Sequence, residues 1–262
     1  MGGAMVSGWT KGRNPVVPLK NLLIVDPQPG EAAQTVIDTG AAHQAAVSKK
    51  IASAKYVLLA IKPQSFAEAG EQIAQFLPAG AIVISVLAGT TMASLERTFP
   101  DQICVRCMPN TPSSIGKGIT GFYAPGQLEA EPKAHITELL QAGGEVIELS
   151  SEAQIDAVTA ISGSGPAYFF HMVEALAAAG QSIGLSEEMA GKLARQTLIG
   201  AGALLEKSGQ SARELRRNVT SPGGTTQAAL DVLMQSVGLP PVIREAVTAA
   251  YRRSQELGKE KP

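Results

Sequence analysis

The segment Ala81-Ile-Val-Ile-Ser-Val-Leu-Ala-Gly89 decides the fold of the first part of the chain. It is a short run of apolar, mostly β-branched residues, and it lacks the alternating polar residues of a half-exposed strand. Such a run is typical of a strand buried on both faces, as in a parallel sheet that is covered by helices. The segment therefore predicts an α/β fold with a doubly wound parallel sheet, in which ligands bind beyond the carboxyl ends of the strands.

Four further runs of the same kind flank this segment, and helical stretches separate them. The order of elements is therefore a βα succession. The four runs are Asn21-Leu-Leu-Ile-Val25, Tyr56-Val-Leu-Leu-Ala-Ile61, Ile103-Cys-Val-Arg-Cys107 and Glu145-Val-Ile-Glu-Leu149. Because ligands bind beyond the strand ends, the segments that follow the runs are candidates for binding. These segments are Asp26-Pro27, Lys62-Pro-Gln64, Leu87-Ala-Gly89 and Met108-Pro-Asn-Thr-Pro112.

The second half of the chain has a different composition. From residue 151 onward strand-like runs disappear, which predicts an α/β domain at residues 1–150 and an all-helical domain at residues 151–262. Serine residues with a nearby glutamate signal helix starts at Ser150, Ser186 and Ser211. Small residues permit close helix packing and predict self-association, with a monomeric helical bundle as the alternative. These small residues are Gly191, Ala194, Gly200, Ala201 and Gly202.

Length, charge and hydropathy limit the class of protein. The chain has 262 residues, of which 45% are hydrophobic, so it can bury the core of one large domain or two ordinary ones. A formal net charge of -1 predicts neither a nucleic-acid partner nor an anionic membrane partner. We find no apolar run long enough to span a membrane and no signal-peptide pattern. We therefore expect a soluble, cytoplasmic protein.

Cysteine and histidine residues offer no convincing metal or redox site. Cys104-Val-Arg-Cys107 matches the Cys-x-x-Cys spacing, but it lies in a predicted strand, where residues three apart point to opposite faces. No second Cys or His pair follows at zinc spacing. His43, His135 and His171 are far apart in sequence, which favours surface or packing roles. We therefore expect no metal.

The segment Asn218-Val-Thr-Ser-Pro-Gly-Gly-Thr-Thr226 resembles an anion-binding site at a helix start. The first N–H groups of a helix have no internal partners, and the helix dipole favours negative charge there. Glycines at 223 and 224 allow a ligand to approach the backbone closely, and nearby hydroxyl groups can donate or accept. The segment therefore predicts capture of a small carboxylic acid or a phosphate. An ordinary helix cap after a Gly-Gly turn is the alternative.

The first residues of the chain contain part of a dinucleotide-binding pattern. Met1-Gly-Gly-Ala-Met5 reads as the opening of a helix with no strand before it. Gly2 fits the third glycine of Gly-x-Gly-x-x-Gly, whose first two glycines are absent. Asp26 follows the next predicted strand at a spacing suited to an acid that holds the ribose hydroxyl groups. A turn residue opening Asp26-Pro-Gln-Pro-Gly30 is the alternative for Asp26.

Four motifs in their order along the chain resemble the pyrroline-5-carboxylate reductase family. The resemblance covers residues 1 to about 258, and the last two motifs are specific to this family rather than to Rossmann proteins in general. Taken alone, the segment Ile161-Ser-Gly-Ser-Gly-Pro-Ala-Tyr168 is either a joint between helices or a bend toward a ligand. The motifs are Ala60-Ile-Lys-Pro63, Met108-Pro-Asn-Thr-Pro112, Ile161-Ser-Gly-Ser-Gly-Pro-Ala-Tyr168 and Asn218-Val-Thr-Ser-Pro-Gly-Gly-Thr-Thr226.

The resemblance implies a fold, an activity and a set of site residues. The fold is a Rossmann-type domain followed by an all-helical dimerisation domain, and the activity is reduction of the imine of 1-pyrroline-5-carboxylate to L-proline by NADPH or NADH. The family forms dimers or decamers whose active site lies between one subunit's cofactor domain and the partner's helices. Substrate contacts are implied for Glu152, Ser221, Gly224, Thr225 and Thr226. Cofactor contacts are implied for Gly2, Asp26, Ala60, Ile61, Lys62, Pro63, Ala88, Gly89, Met108, Pro109, Asn110 and Asn218.

The chain departs from the family pattern at its beginning. The family has a strand and two glycines immediately before the position of Met1. That strand is central in a doubly wound sheet, so its absence is expected to leave two strands without a shared neighbour. We expect the sequence to start at an internal Met of a longer reading frame or at a truncation. If Met1 is the natural start, cofactor affinity should be poor.

The resemblance also implies a mechanism. A protonated imine accepts hydride readily, so positioning suffices without a strong acid. Thr226 is the expected catalytic residue, since its hydroxyl would bond the ring nitrogen. Asp26 favours NADH by repelling a 2′-phosphate, whereas the family commonly uses NADPH.

Two rival functions are open. Another imine or β-hydroxyacid reductase would need a catalytic lysine, for which Lys192 and Lys207 are available. A catalytically silent oligomer that senses a small acid is the second rival, and its only support is the missing strand. Binding of NAD(P)H would argue against it.

Overall fold

Apolar runs rich in β-branched residues form strands, as the sequence predicts. In the computed structural model, which describes residues 1–12, 15–124, 126 and 128–259, each of the five predicted runs overlaps a strand. The prediction that every run is buried on both faces is wrong for Glu145-Val-Ile-Glu-Leu149, which is largely exposed. Two strands were not predicted, the second and the sixth. The strands are β1 (Leu23–Val25), β2 (Ala42–Gln44), β3 (Tyr56–Leu59), β4 (Ile82–Ser85), β5 (Ile103–Met108), β6 (Gly118–Tyr123) and β7 (Gly144–Glu148).

The strands form two sheets. β1 pairs with β2 in a parallel two-stranded sheet, and the other five strands follow in the order β3-β4-β5-β6-β7. β6 runs antiparallel to β5, with Cys107 opposite Phe122, so the larger sheet is mixed rather than wholly parallel. Within the described ranges β1 and β3 share no hydrogen-bonded strand. The expectation that two strands lack a shared neighbour is therefore confirmed.

Helices and short turns complete the first part of the chain. The helices are α1 (Gly2–Thr10), α2 (Glu31–Asp38), α3 (Phe66–Ala74), α4 (Met92–Thr98), α5 (Ala130–Gln141) and α6 (Gln154–Val158). Four 3-10 turns lie at Leu19–Asn21, Lys49–Ser53, Pro63–Ser65 and Thr111–Ile115, and a π-helical turn follows α6 at Thr159–Gly163. The predicted cap at Ser150 is wrong, because Ala153 occupies the N-cap position of α6. The N–H and the hydroxyl group of Ser150 both donate to the side chain of Gln154.

Two hydrophobic cores cover the two faces of the larger sheet. Ile84 of β4 packs in a core with Met5 and Trp9 of α1, whereas Val83, the preceding residue, packs in the other core with residues of α3 and α4. β4 is therefore buried along its whole length, as its apolar run predicts. Each fully buried aliphatic or aromatic side chain contributes about 1.5–3 kcal/mol to this packing.

The helical part of the chain contains α7 (Gly165–Ser182), α8 (Glu187–Ser208), α9 (Ala212–Asn218), α10 (Thr225–Leu233) and α11 (Leu239–Lys259). The predicted caps at Ser186 and Ser211 are confirmed, and Ser211 forms a complete capping box with Glu214. α7 and α8 approach closely where Gly180 faces Ala190, since a Cβ atom on Gly180 would lie 3.1 Å from the Cβ of Ala190. Of the small residues predicted to pack closely, Ala194 is buried, whereas Gly191, Gly200 and Gly202 have open space around them.

The contacts divide the chain into two units. The first contains residues 1–164 and those from 250 onward, and the second contains residues 165–249. α11 is therefore shared, because its first half belongs to the second unit and its last ten described residues to the first. The last strand ends at Glu148, close to the domain boundary predicted at residue 150. The first unit continues to residue 164, because it also contains α6 and the π turn. None of the helices in the described ranges has the length and apolar character to cross a bilayer.

Candidate active site

Three strand ends bring most of the predicted cofactor residues to one edge of the larger sheet. β3, β4 and β5 pair in parallel, so their carboxyl ends lie side by side. This is the position at which doubly wound sheets bind ligands. The residues at these ends are Ala60, Ile61, Lys62 and Pro63 after β3, Ala88 and Gly89 after β4, and Met108, Pro109 and Asn110 at the end of β5.

Gly2 lies against the end of β3. A Cβ atom added to Gly2 would come 2.9 Å from the Cβ of Ala60, so a larger residue would push the start of α1 away from the strand. Close packing of helix and strand is the role of the third glycine in a dinucleotide-binding pattern. The structure thus joins Gly2 to the predicted cofactor residues after β3.

Asp26 lies in the smaller sheet, directly after β1. Its Oδ1 accepts a hydrogen bond from the N–H of Gln28 at 2.8 Å, and its carbonyl oxygen lies 2.9 Å from Nε2 of His43. Asp26 therefore serves as the turn residue that the sequence offered as one alternative. Its role in holding a ribose stays a prediction.

Met108 and Asn110 are held by their neighbours at the end of β5. Oδ1 of Asn110 accepts a hydrogen bond from the N–H of Ile119 at 3.0 Å, which fixes the turn between β5 and β6. The π turn brings Gly163 to Met108, where a Cβ atom on Gly163 would lie 3.6 Å from the sulfur. The Ser-Gly-Ser-Gly-Pro motif therefore begins in a π turn beside the end of β5. Its role as a bend toward a ligand stays a prediction.

The loop between β4 and α4 is tightly enclosed. Gly89 adopts a left-handed conformation, with φ of +70°, and a Cβ atom there would lie 3.1 Å from the Leu257 side chain in α11. The hydroxyl oxygen of Thr90 is buried and has no hydrogen-bond partner within the described residues. The loop ends at Met92, whose N–H donates to Oε1 of Glu152 at 2.7 Å.

Glu152 is tied to the same region by an ion pair. Its Oε1 also accepts from Nη1 of Arg106 at 2.7 Å, and the Arg106 side chain is only 4% exposed. Glu152 was predicted to contact substrate, and that role stays a prediction. The structure shows this carboxylate oxygen bound to the backbone of α4 and to the guanidinium group on β5.

The predicted anion site lies in the second unit, at the start of α10. Gly223 has φ of +70°, the N–H of Gly224 donates to the carbonyl oxygen of Ser221 at 3.0 Å, and no side chain caps the helix. Thr225 is exposed and Thr226 is half-buried in the first helical turn. The N–H groups of such a turn are available to an anion. Asn218 ends α9, and its Nδ2 donates to the side chain of Gln210 at 3.0 Å.

The remaining candidate groups are occupied in packing or local contacts. Cys104 and Cys107 belong to opposite cores, which confirms that they point to opposite faces of the sheet. Burial raises the pKa of both thiols, that of Cys104 to about 12 with a smaller contribution from Glu96. His135 packs on the ring of Tyr56, and burial together with the nearby Glu131 raises the pKa of this tyrosine. No group of three potential His, Cys, Asp or Glu metal ligands occurs among the residues that the structure describes.

Comparison with known proteins decides the family. A family model for pyrroline-5-carboxylate reductase dimerisation matches residues 152–257, and one for NADP oxidoreductases described as coenzyme F420-dependent matches residues 1–89. A pyrroline-5-carboxylate reductase from Pseudomonas aeruginosa is 40% identical over 232 residues, which cover 88% of this chain and 82% of the relative. The chain belongs to the pyrroline-5-carboxylate reductase family.

Solved structures of this family share the fold. A pyrroline-5-carboxylate reductase from Coxiella burnetii superposes with a TM-score of 0.87 at 33% identity, covering 97% of this chain and 93% of that one. A Plasmodium falciparum pyrroline carboxylate reductase, solved with NADP bound, has a TM-score of 0.80 at 27% identity and covers 98% and 94% of the two chains. The Rossmann-type α/β domain and the helical domain are thus those of a pyrroline-5-carboxylate reductase.

Sequence reasoning missed Arg106 in this member of the pyrroline-5-carboxylate reductase family. The signal was present, because Arg106 is a charged residue inside the apolar run Ile103–Met108. A buried arginine is rare without a partner. The partner itself could not be inferred, since Glu152 lies 46 residues further along the chain. Lys192 and Lys207, which a rival reductase would need, are exposed on α8.

Proposed function

We propose that the protein reduces the C=N bond of 1-pyrroline-5-carboxylate with NADPH or NADH to give L-proline, the last step of proline biosynthesis. The observation that carries the proposal is the 40% identity with the Pseudomonas aeruginosa reductase over 82% of that protein's length. The strand ends and the start of α10, which hold the family-like motifs, are both formed in the structure.

The start of α10 is the proposed seat of the substrate. The substrate carboxylate accepts hydrogen bonds from the first backbone N–H groups of the helix, which a carboxylate satisfies better than water because of the helix dipole. The left-handed Gly223 and the close approach of Gly224 to Ser221 shape the turn that exposes these groups. Ser221, Gly224, Thr225 and Thr226 hold the substrate in this proposal, and the Thr226 hydroxyl bonds the ring nitrogen.

The carboxyl edge of β3, β4 and β5 is the proposed cofactor site. Its residues fit an extended nucleotide, because Gly2 lets α1 start against Ala60 and the exposed Lys62 can bind a phosphate. NAD(P)H, when bound, supplies the hydride. The residues proposed to contact it are Gly2, Asp26, Ala60, Ile61, Lys62, Pro63, Ala88, Gly89, Met108, Pro109, Asn110 and Asn218.

Positioning supplies most of the proposed rate enhancement. The ring nitrogen of the imine is protonated, so the adjacent carbon is electrophilic and no strong acid is needed. Holding the two reactants in the reactive geometry lowers the barrier by roughly 7–11 kcal/mol. Met108 and Asn110, fixed by Gly163 and Ile119, orient the reacting ring of the cofactor. Thr226 orients the ring of the substrate.

The test is NAD(P)H oxidation by the full chain with 1-pyrroline-5-carboxylate. We expect oxidation that depends on substrate, with proline formed in equal amount. Cofactor binding without any proline would contradict the proposed function, whereas the absence of both cofactor binding and turnover would favour a silent protein. A β-hydroxy acid tested with the oxidised cofactor distinguishes the rival reductase.

Assembly and location complete the proposal. The family model for dimerisation covers the whole of the second unit, and the proposed assembly is a dimer or a decamer. We place the protein in the cytoplasm, with neither a membrane nor a nucleic-acid partner. Cell fractionation with an antibody to the protein tests the location.

A further inference from the structure

The geometry points to Arg106 and Glu152 as positioning residues that hold residues 87–92, named here the β4–α4 loop, in the shape that binds the cofactor. This inference rests on the proposed function only in taking Ala88 and Gly89 as cofactor contacts. It assigns Glu152 a role other than the substrate contact that the family resemblance implies.

One carboxylate oxygen joins three parts of the first unit. Oε1 of Glu152 accepts from Nη1 of Arg106 and from the N–H of Met92, at 2.7 Å in both cases. Arg106 lies on β5, Met92 begins α4, and Glu152 lies in the turn before α6. The N–H of Met92 is one of the first in its helix, so it has no partner within the helix itself. Thr91 caps α4 by accepting from the N–H of Ser94, and Glu152 holds the neighbouring N–H of Met92 in place.

The β4–α4 loop is held at both ends by side-chain acceptors. At its start the hydroxyl oxygen of Ser85 accepts from the N–H of Leu87 at 3.3 Å, and at its end Glu152 accepts from Met92. Between them Gly89 is left-handed and in close contact with Leu257. Loss of the Glu152 contact would free the end of the loop and displace Ala88 and Gly89 at the strand edge.

The buried charge of Arg106 makes Glu152 hold its position. Arg106 is 4% exposed and Glu152 is 32% exposed, and Nε of Arg106 has no partner within the described chain. An arginine so placed requires a carboxylate, since a lone buried charge is strongly unfavourable. The ion pair thus fixes the oxygen that Met92 uses. Arg106 acts through Glu152 and not on the cofactor directly.

Stability and positioning can be separated by replacing both partners. Removal of one partner of a buried pair destabilises a protein, whereas replacement of both by apolar residues of similar size is often neutral or stabilising. The double variant Arg106→Met/Glu152→Leu is therefore expected to unfold at a temperature close to that of the parent. In this double variant the N–H of Met92 has lost its acceptor, so Glu152 no longer holds the end of the β4–α4 loop.

The experiment measures the dissociation constant of NADPH and NADH by fluorescence titration, with the unfolding temperature, in the full chain. We expect the double variant to bind cofactor about tenfold more weakly, the loss typical of one hydrogen bond. Glu152→Gln keeps an oxygen for Met92, so its cofactor binding should stay within about threefold of the parent, while its unfolding temperature falls because the buried Arg106 loses its carboxylate. The exposed pair Lys133–Glu148, joined at 2.6 Å, is the control, and Lys133→Met should change neither measurement.

Two outcomes would overturn the inference. Recovery of both cofactor binding and unfolding temperature in the double variant would make the pair purely structural. A Glu152→Leu variant that raises the KM for 1-pyrroline-5-carboxylate and leaves cofactor binding unchanged would make Glu152 a substrate contact. Fluorescence titration measures cofactor binding and needs no turnover. If the parent binds cofactor but forms no proline, the proposed function is contradicted, whereas the role of Arg106 and Glu152 can still be tested.

Discussion

At the scale of single residues, Thr226 is the group on which the proposed mechanism depends most. The substitution Thr226→Ala removes the hydroxyl group of this side chain and one methyl group and leaves the rest of the residue unchanged. We expect kcat to fall about 10- to 100-fold, the range for a lost hydrogen bond to a charged group. Steady-state kinetics with 1-pyrroline-5-carboxylate measure the change, and circular dichroism checks the fold.

Thr248→Ala is the matched control for this substitution. Thr248 is also on a helix, where its hydroxyl donates to the carbonyl oxygen of Arg244 at 2.7 Å. We expect its kinetics to equal those of the parent. Unchanged kcat in Thr226→Ala would remove Thr226 from the mechanism.

Asp26 is expected to set the preference between the two cofactors. Its carboxylate at the end of β1 repels a 2′-phosphate, whereas a serine hydroxyl can bind one and can still form the turn with Gln28. Asp26→Ser should lower the KM for NADPH and raise that for NADH. The two Michaelis constants are compared with those of Asp38→Ser, which removes the same charge on α2. A shift of equal size in both variants would show a general effect of charge.

At the scale of elements, the turn that leads into α10 depends on the glycine at position 223. Gly223 is left-handed with open space around it, so Gly223→Ala meets no neighbour and adds backbone strain of about 1–2 kcal/mol. We expect reduced stability and a raised KM for 1-pyrroline-5-carboxylate. Urea unfolding and steady-state kinetics measure the two effects.

Gly80→Ala separates strain from binding. Gly80 has φ of +76°, is equally open and lies in the first unit. It should lose similar stability and keep the parent's KM. If both variants raise this KM, the turn at Gly223 has no special role.

Apolar patterning predicted most of the strands but not all of them. Five runs gave a signal because each is rich in apolar residues, although only β4 is buried along its whole length and β7 is largely exposed. β2 is Ala42-His-Gln44 and is largely exposed, so it carries no apolar signal. β6 contains Gly118 and Gly121, and glycines in a sequence usually indicate a turn. In the structure Gly121 is required for packing, because a Cβ atom there would lie 3.0 Å from the side chain of Val158.

The candidate site was predictable where it depends on contiguous residues. The strand ends and the Ser-Pro-Gly-Gly-Thr-Thr segment are local motifs, so their residues could be named in advance. The Arg106–Glu152 contact and the packing of Leu257 on Gly89 join distant parts of the chain. Such contacts depend on the tertiary fold, which no local pattern encodes.

At the scale of the whole molecule, exposed apolar side chains on α7 and α8 predict self-association. Large side chains are exposed on both helices, and such patches mark association surfaces. They include Phe169, Phe170, Leu176, Leu193, Ile199 and Leu204. We expect Phe170→Glu, at a position that is 62% exposed, to reduce the molar mass measured by light scattering toward that of one chain.

Ile115→Glu is the control for the association surface. Ile115 is 74% exposed, but it lies in the first unit. Its variant should keep the molar mass of the parent. A parent that is already monomeric at micromolar concentration would contradict self-association through these helices.

The shared helix α11 has a consequence for how the chain folds during synthesis. Residues 250–259 belong to the first unit, where the Ser254 hydroxyl donates to Asp156 at 2.6 Å and Leu257 covers Gly89. The ribosome makes these residues only after the whole second unit. A nascent chain released at residue 164 therefore contains the seven strands of the described ranges but has an uncovered β4–α4 loop. The nucleotide-binding half becomes complete only after the helical half has left the exit tunnel, which couples the maturation of one half to the synthesis of the other.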